Sequence, residues 1–230
     1  MGMLGDFAIT RVVAEILQSY FKLGQSNVTP ALICDPQSIF PLPERDTLLH
    51  QLDAIEFMIT QLFPMATLMT PTETEAELLL PQIGISQHIE TLDGMLMTAE
   101  LLLQSVGSNA VLLKGDHVIA TMHDILIISK RKPDIQIVKH GLYGESMEIL
   151  LAGHEDCAES ELVVDILNQA NGEKTLFVRP RINSSSTHGS GCTLSSAIAC
   201  EIALGCKCVY DIKHSNPFLP CVENVSGRSC

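Results

Sequence analysis

Short apolar runs alternate with stretches of helical period along most of this chain, and that alternation limits the fold more than any other feature. "ALICD" (31–35), "ATLMT" (66–70), "AVLLK" (110–114) and "TLFVRPR" (175–181) have strand length and are closed by polar or turn residues. Between them, apolar residues recur every three or four positions. Ile9, Val12, Val13, Ile16, Leu17 and Tyr20 do so after a candidate N-cap at Asp6, with a stop near Gly24. Leu48, Leu49, Leu52, Ile55, Ile59 and Leu62 make a second such segment, "ETEAELLL" (73–80) a third, and about Leu92 to Val106 a fourth. Residues 124–170 read as several short β pieces, "ILIIS", "IQIV", "EILLA" and "ELVVDIL", and a last helix is predicted from about Gly191 to Ala203 or Leu204. Strands buried on both faces need helices on both faces. The pattern therefore predicts an α/β fold, a mostly parallel central sheet flanked by helices. Ligands of such sheets bind beyond the carboxyl ends of the strands, where Asp35, Thr70-Pro71-Thr72 and Lys114 stand.

Charge narrows the partners. With 27 acidic against 14 basic residues the 230-residue chain carries a formal charge of −13 and has no basic cluster, so nucleic acid and anionic membranes are excluded as expected partners. An anionic small molecule can still bind through backbone donors, helix ends, a lysine or a divalent cation. No apolar run approaches the roughly 18 residues of a membrane span, and the N-terminus lacks a signal-peptide pattern. "MGMLGD" puts Asp6 where a myristoylation signal needs Ser or Thr. A cytoplasmic chain is expected. The sequons at Asn27, Asn183 and Asn224 then carry no weight, and the eight scattered cysteines read as reduced thiols. Cys206-Lys-Cys208 is too closely spaced for an ordinary zinc knuckle.

"STHGSGCTLSSAIAC" (186–200) carries the chemistry. Gly189 and Gly191 allow a sharp turn that brings N–H groups to a ligand, and the following helix adds its unpaired N–H groups and the positive end of its dipole. Ser190 and Thr193 offer hydroxyls. Cys192, at a helix start, is placed to have its pKa lowered and to act as a base. The same residues also read as a glycine turn and N-cap ahead of a buried cysteine. Lys114 alone reads equally as a solvated strand end, Glu75 as one of three carboxylates (Glu73, Glu75, Glu77) that favour a helix dipole, and Asp35-Pro36 as an ordinary loop exit.

Taken together, "LLKGDH", "TPTETEAELLL", "LFVRPRI" and "STHGSGCTLSSAIACEIA" resemble the hydroxymethylpyrimidine/phosphomethylpyrimidine kinases of thiamine biosynthesis, in the ribokinase-like superfamily, and most closely the fungal forms. The resemblance runs from Gly2 to about Asp211, with 118–160 matching loosely; the cysteine is its specific sign, since ribokinase-like enzymes of other substrates generally carry aspartate there. It implies transfer of the ATP γ-phosphoryl group to the hydroxymethyl of an aminopyrimidine and then to its monophosphate, with Mg²⁺. By resemblance Cys192 is the base, Gly189, Ser190 and Gly191 the anion hole, and Lys114 a lysine at the nucleotide phosphates. Asp35 and Glu75 match acidic positions near Mg²⁺ and phosphate, Thr72 stands where the family has asparagine beside the nucleotide, and Met3 matches a residue of the pyrimidine pocket.

The chain also departs from the family pattern. Relatives carry a strand and a glycine-rich segment ahead of the stretch matching "GMLGD", and a final helix where "SNPFLPCVENVSGRSC" is irregular. We therefore expect an incomplete kinase domain over 1–211, lacking the N-terminal strands and the final helix, and an irregular tail over 212–230. Gln37 replaces an apolar substrate contact and Asp116 the second glycine of Lys-Gly-Gly. Missing strands would expose sheet edges, which leaves room for a homo-oligomer. Two alternatives stand beside the pyrimidine kinase: an inactive relative that binds nucleotide or a partner subunit, and a pyridoxal kinase-like enzyme.

Overall fold

The computed structural model describes residues 7–23, 31–36, 53–115, 117–139, 161–181 and 190–204. The chain divides into two compact units, Met1–Ser185 and Ser186–Cys230. In the first, six strands form one sheet: β1 (Ile33–Cys34), β2 (Leu68–Met69), β3 (Ala110–Leu113), β4 (Gln136–Lys139), β5 (Leu162–Gln169) and β6 (Lys174–Pro180), in the order β1-β2-β3-β5-β6-β4. The runs predicted as strands at 31–35, 66–70, 110–114, 135–138, 161–167 and 175–181 all contain one. All four residues of β3 are buried, as a strand covered on both faces must be.

The pairs β1–β2, β2–β3 and β4–β6 are parallel, while β5 runs antiparallel to β3 and β6. The sheet is thus mixed, with β5 as the one described strand that opposes the rest. Its direction follows from the turn after it. Asn171-Gly172 joins β5 to β6 with Gly172 at φ 90°, and Gln169 N–H donates to the Glu173 carbonyl at 3.0 Å. Asn-Gly between two apolar runs favours a tight hairpin, which can only join antiparallel strands.

Helices pack around the sheet: α1 (Phe7–Leu23), α2 (Glu73–Leu79), α3 (Leu92–Val106) and α4 (Met122–Arg131). Residues 53–57 are helical and continue through a π turn, Met58–Leu62, into a 3₁₀ turn, Phe63–Met65. Thr72, Thr91 and Thr121 cap α2, α3 and α4, each accepting a backbone N–H from the first turn. In the second unit α5 spans Ser190–Ala203. No helix among the described residues is long and apolar enough to cross a membrane.

One expectation needs correction. "ILIIS" (125–129) is not a strand but the middle of α4: Ile125 and Ile128 are buried, while Leu126 and Ile127 are exposed, a period of three rather than two. Thr121 and Asp124 form a capping box and Lys130-Arg131 close the last turn, and these end signals outweigh the β preference of a β-branched run. The apolar residues of α1 do not all face the core. Thr10 and Ala14 are buried, whereas Ile9, Val12, Ile16 and Tyr20 are exposed. Asp6, "EILLA" and the tail 212–230 lie outside the described residues.

The helical reading of 125–129 is testable by stability. Ile125→Ala and Ile128→Ala should each cost about 2–4 kcal/mol in urea unfolding and Ile127→Ala about 0.5 kcal/mol or less, whereas a strand would place Ile125 and Ile127 on the same face.

Candidate active site

Because β1, β2 and β3 are parallel, their carboxyl ends meet at one end of the sheet. Asp35 directly follows β1, Thr70 follows β2 and Lys114 follows β3. Pairing continues one step past the strands, where Thr72 bridges Lys114 and the Lys114 N–H donates to the Pro71 carbonyl at 2.8 Å. Lys114 Nζ then donates to Asp35 Oδ1 at 2.9 Å, and Thr70 Oγ1 donates to the same oxygen at 3.2 Å. The lysine side chain is only 5% exposed and the aspartate 17%. An ammonium this buried needs a charged partner, since desolvating it alone is far more costly than pairing it. The reading of Lys114 as a solvated strand end is therefore set aside.

Glu75 sits beside this pair. Its Oε2 accepts the Thr72 N–H at 2.8 Å and its own N–H donates to Thr72 Oγ1 at 3.3 Å, a reciprocal capping box. Burial raises its pKa above 4.5; the Thr72 hydrogen bond and the charge of Lys114 oppose the rise, and the charge of Asp35 adds to it. Glu75 thus both caps α2 and shares the electrostatic field of Lys114 and Asp35. Thr72, expected beside the nucleotide, has its hydroxyl engaged in the cap.

Two further carboxylates here bind backbone: Glu73, read from the sequence only as favouring a helix dipole, and Asp165, which carries no sequence signal of its own. Glu73, 2% exposed, accepts the N–H groups of His117 at 2.8 Å and Val118 at 3.0 Å. Asp165 on β5, 3% exposed, accepts the Gly115 N–H at 2.9 Å and is gripped by Arg179 from β6, with Nη1 2.7 Å from Oδ2 and Nη2 3.0 Å from Oδ1. The Asn-Gly hairpin was the one available hint, because it sets β5 against β3 and brings Asp165 to the end of β3. Cys34, buried next to Asp35, has its thiol pushed up to about 12 by burial and then by the Asp35 charge, which makes it inert.

The second unit presents Gly191 and Cys192 in the first turn of α5, with Cys192 exposed and Ser195 Oγ donating to the Gly191 carbonyl at 3.0 Å. The buried-cysteine reading of this motif therefore fails: Cys192 is exposed in the first turn of a helix. Met3, Gln37, Asp116, Gly189 and the side chain of Ser190 lie outside the described residues.

The phosphomethylpyrimidine kinase family model matches residues 1–141 and 139–221. Among curated proteins, the chain is 26% identical over 219 residues to the hydroxymethylpyrimidine/phosphomethylpyrimidine kinase of Haemophilus influenzae, covering 95% of this chain and 62% of that one. It is 30% identical over 199 residues to the same-named protein of Salmonella typhimurium, covering 86% and 54%. Among solved structures, an ADP complex of Bacillus subtilis pyridoxal kinase superposes with a TM-score of 0.60 at 20% identity, over 94% of this chain and 59% of that one. A phosphomethylpyrimidine kinase from Clostridium difficile gives 0.52 at 24% identity, over 95% and 63%. At these identities the structures establish a shared ribokinase-like fold. The chain spans little more than half the length of the relatives it matches.

Two measurements follow from the burial pattern. Alkylation read by mass spectrometry should label Cys192 and Cys200 at least about tenfold faster than Cys34. Glu75→Gln, which retains an oxygen for the Thr72 N–H, should raise the melting temperature at pH 7. A carboxyl whose folded pKa is raised stabilises fully below its unfolded value and loses that contribution as pH rises, so the difference should vanish below pH 4.5.

Proposed function

The chain belongs to the phosphomethylpyrimidine kinase family, and on that premise we propose that it phosphorylates 4-amino-5-hydroxymethyl-2-methylpyrimidine, and then the monophosphate, with ATP in thiamine biosynthesis. The observation that carries the reading is the buried Lys114–Asp35 pair, with Glu75 beside it, at the carboxyl ends of three parallel strands. In the first step the substrate hydroxyl oxygen attacks the γ-phosphorus, the bond to the β–γ bridging oxygen breaks, and ADP leaves. By the family resemblance Cys192 is the base that takes the hydroxyl proton, and Gly189, Ser190 and Gly191 are the anion hole for the transferring group. Lys114 neutralises nucleotide phosphate from a position held by Asp35 and Thr70. In the second step an oxygen of the monophosphate is the attacking atom. Such reactions depend mainly on positioning and charge neutralisation, which is what these groups supply.

Asp35 and Glu75 fit a magnesium site. Mg²⁺ is commonly held by one or two carboxylates together with substrate phosphates and water, and among the described residues no cluster of three or more His, Cys, Asp or Glu forms a cage without phosphate. Burial works against a charged Glu75, and a bound dication would restore it. When bound, the ion would offset the charge of the phosphates. Reduced thiols and ATP as donor suit the cytoplasm.

The test is ADP formation by the purified chain with hydroxymethylpyrimidine, its monophosphate or pyridoxal as acceptor. We expect turnover with the pyrimidines in preference to pyridoxal, and a loss of at least about a hundredfold in kcat for Cys192→Ala. Preference for pyridoxal would assign the chain to the other vitamin kinase. Nucleotide binding without turnover would leave an inactive relative.

A further inference from the structure

Two buried carboxylates of the first unit, Asp165 and Glu73, accept main-chain N–H groups, and both do so from the same stretch. Asp165 accepts the N–H of Gly115, the residue after Lys114; Glu73 accepts those of His117 and Val118. They reach the stretch from different elements, Asp165 from β5 and Glu73 from the first position of α2. Hydrogen bonds from backbone N–H to a buried carboxylate are charge-assisted and geometrically demanding, so they fix the chain more firmly than a turn would. Gly115 is also pressed against β5: a Cβ there would stand 2.3 Å from the Val164 carbonyl oxygen, which closes the position to any side chain. On its other flank, Lys114 is tied to β2 through Pro71 and Thr72. Arg179 holds both oxygens of Asp165 and so fixes the direction in which that carboxylate faces Gly115.

We infer that Asp165 and Glu73 are positioning residues for Lys114, and that Arg179 orients Asp165 for this purpose. A lysine has four rotatable bonds and loses much freedom when placed, so anchoring the backbone on both sides limits the positions its ammonium can take. Lys114 Nζ is thereby presented to Asp35 and, on the kinase reading on which this inference rests, to nucleotide phosphate. Displacements of about 1 Å are enough to cost phosphoryl transfer dearly. Neither carboxylate touches the reacting atoms. The clamp acts through the lysine alone and should affect ATP rather than the pyrimidine.

The test compares wild type, D165A and D165N by steady-state kinetics for each substrate and by acetic anhydride labelling of Lys114 read by mass spectrometry, with melting curves to establish folding. In D165A we expect KM for ATP to rise about tenfold with KM for the pyrimidine unchanged, and labelling of Lys114 to accelerate about tenfold. D165N keeps an oxygen for the Gly115 N–H but turns an amide toward Arg179, and should raise the ATP KM about threefold. If D165A does not fold, D165N decides: an unchanged ATP KM and labelling rate overturn the inference. A folded D165A with wild-type ATP KM and labelling, or with both substrate KM values raised alike, overturns it as well. Wild-type protein without ATP turnover sinks the kinase reading, and the inference with it; an active wild type with an indifferent D165A sinks the inference alone.

Discussion

A lysine ammonium almost removed from water at the end of β3 is the constraint that orders this structure. It is held by one aspartate oxygen, at 2.9 Å, just past the end of β1, the strand two places away in the sheet. The pair exists only because β1, β2 and β3 are parallel and end level, so that residues 79 positions apart in sequence meet. Removing either partner would leave an unpaired charge in a dry site, which is more costly than the pair itself. The sheet order and the site are therefore one problem with one solution.

Around that pair, hydrogen bonds serve position more than stability. Thr70 shares the Asp35 oxygen, Glu75 closes a cap while remaining within the field of both charges, and Asp165 and Glu73 hold the chain that leaves Lys114. Glu75 shows the tension most directly: its burial disfavours the charged form that a metal-binding role would need. Cys34 shows the opposite use of burial, since desolvation next to Asp35 silences its thiol while Cys192 is left exposed at a helix start.

Much of this could be read from residues in order. Strands that are unbroken apolar runs and helices with a period near four, such as "AVLLK" and Leu92 to Val106, appear where their patterns place them. Lys114, Asp35 and Glu75 could be proposed as neighbours because strand ends converge and because the motifs resemble a kinase family. "ILIIS" misled because four aliphatic residues in five have no readable period, and the flanking Thr121–Asp124 box had to decide. Asp165, and the part Glu73 plays beyond the helix dipole, were invisible because their partners are backbone N–H groups, which carry no residue identity.

The sequence by itself determined the alternation of strands and helices, the net acidic charge, the helix α5 with a thiol in its first turn, and through these the family. Those properties depend on local preference and composition, which a linear string contains. Only the tertiary structure decided that β5 pairs with β3 inside the sheet, that Lys114 is buried on Asp35 instead of solvated, and that two distant carboxylates grip the residues after it. Such facts depend on which strand lies beside which, and a parallel sheet makes that choice through contacts many tens of residues apart, for which no local pattern is required.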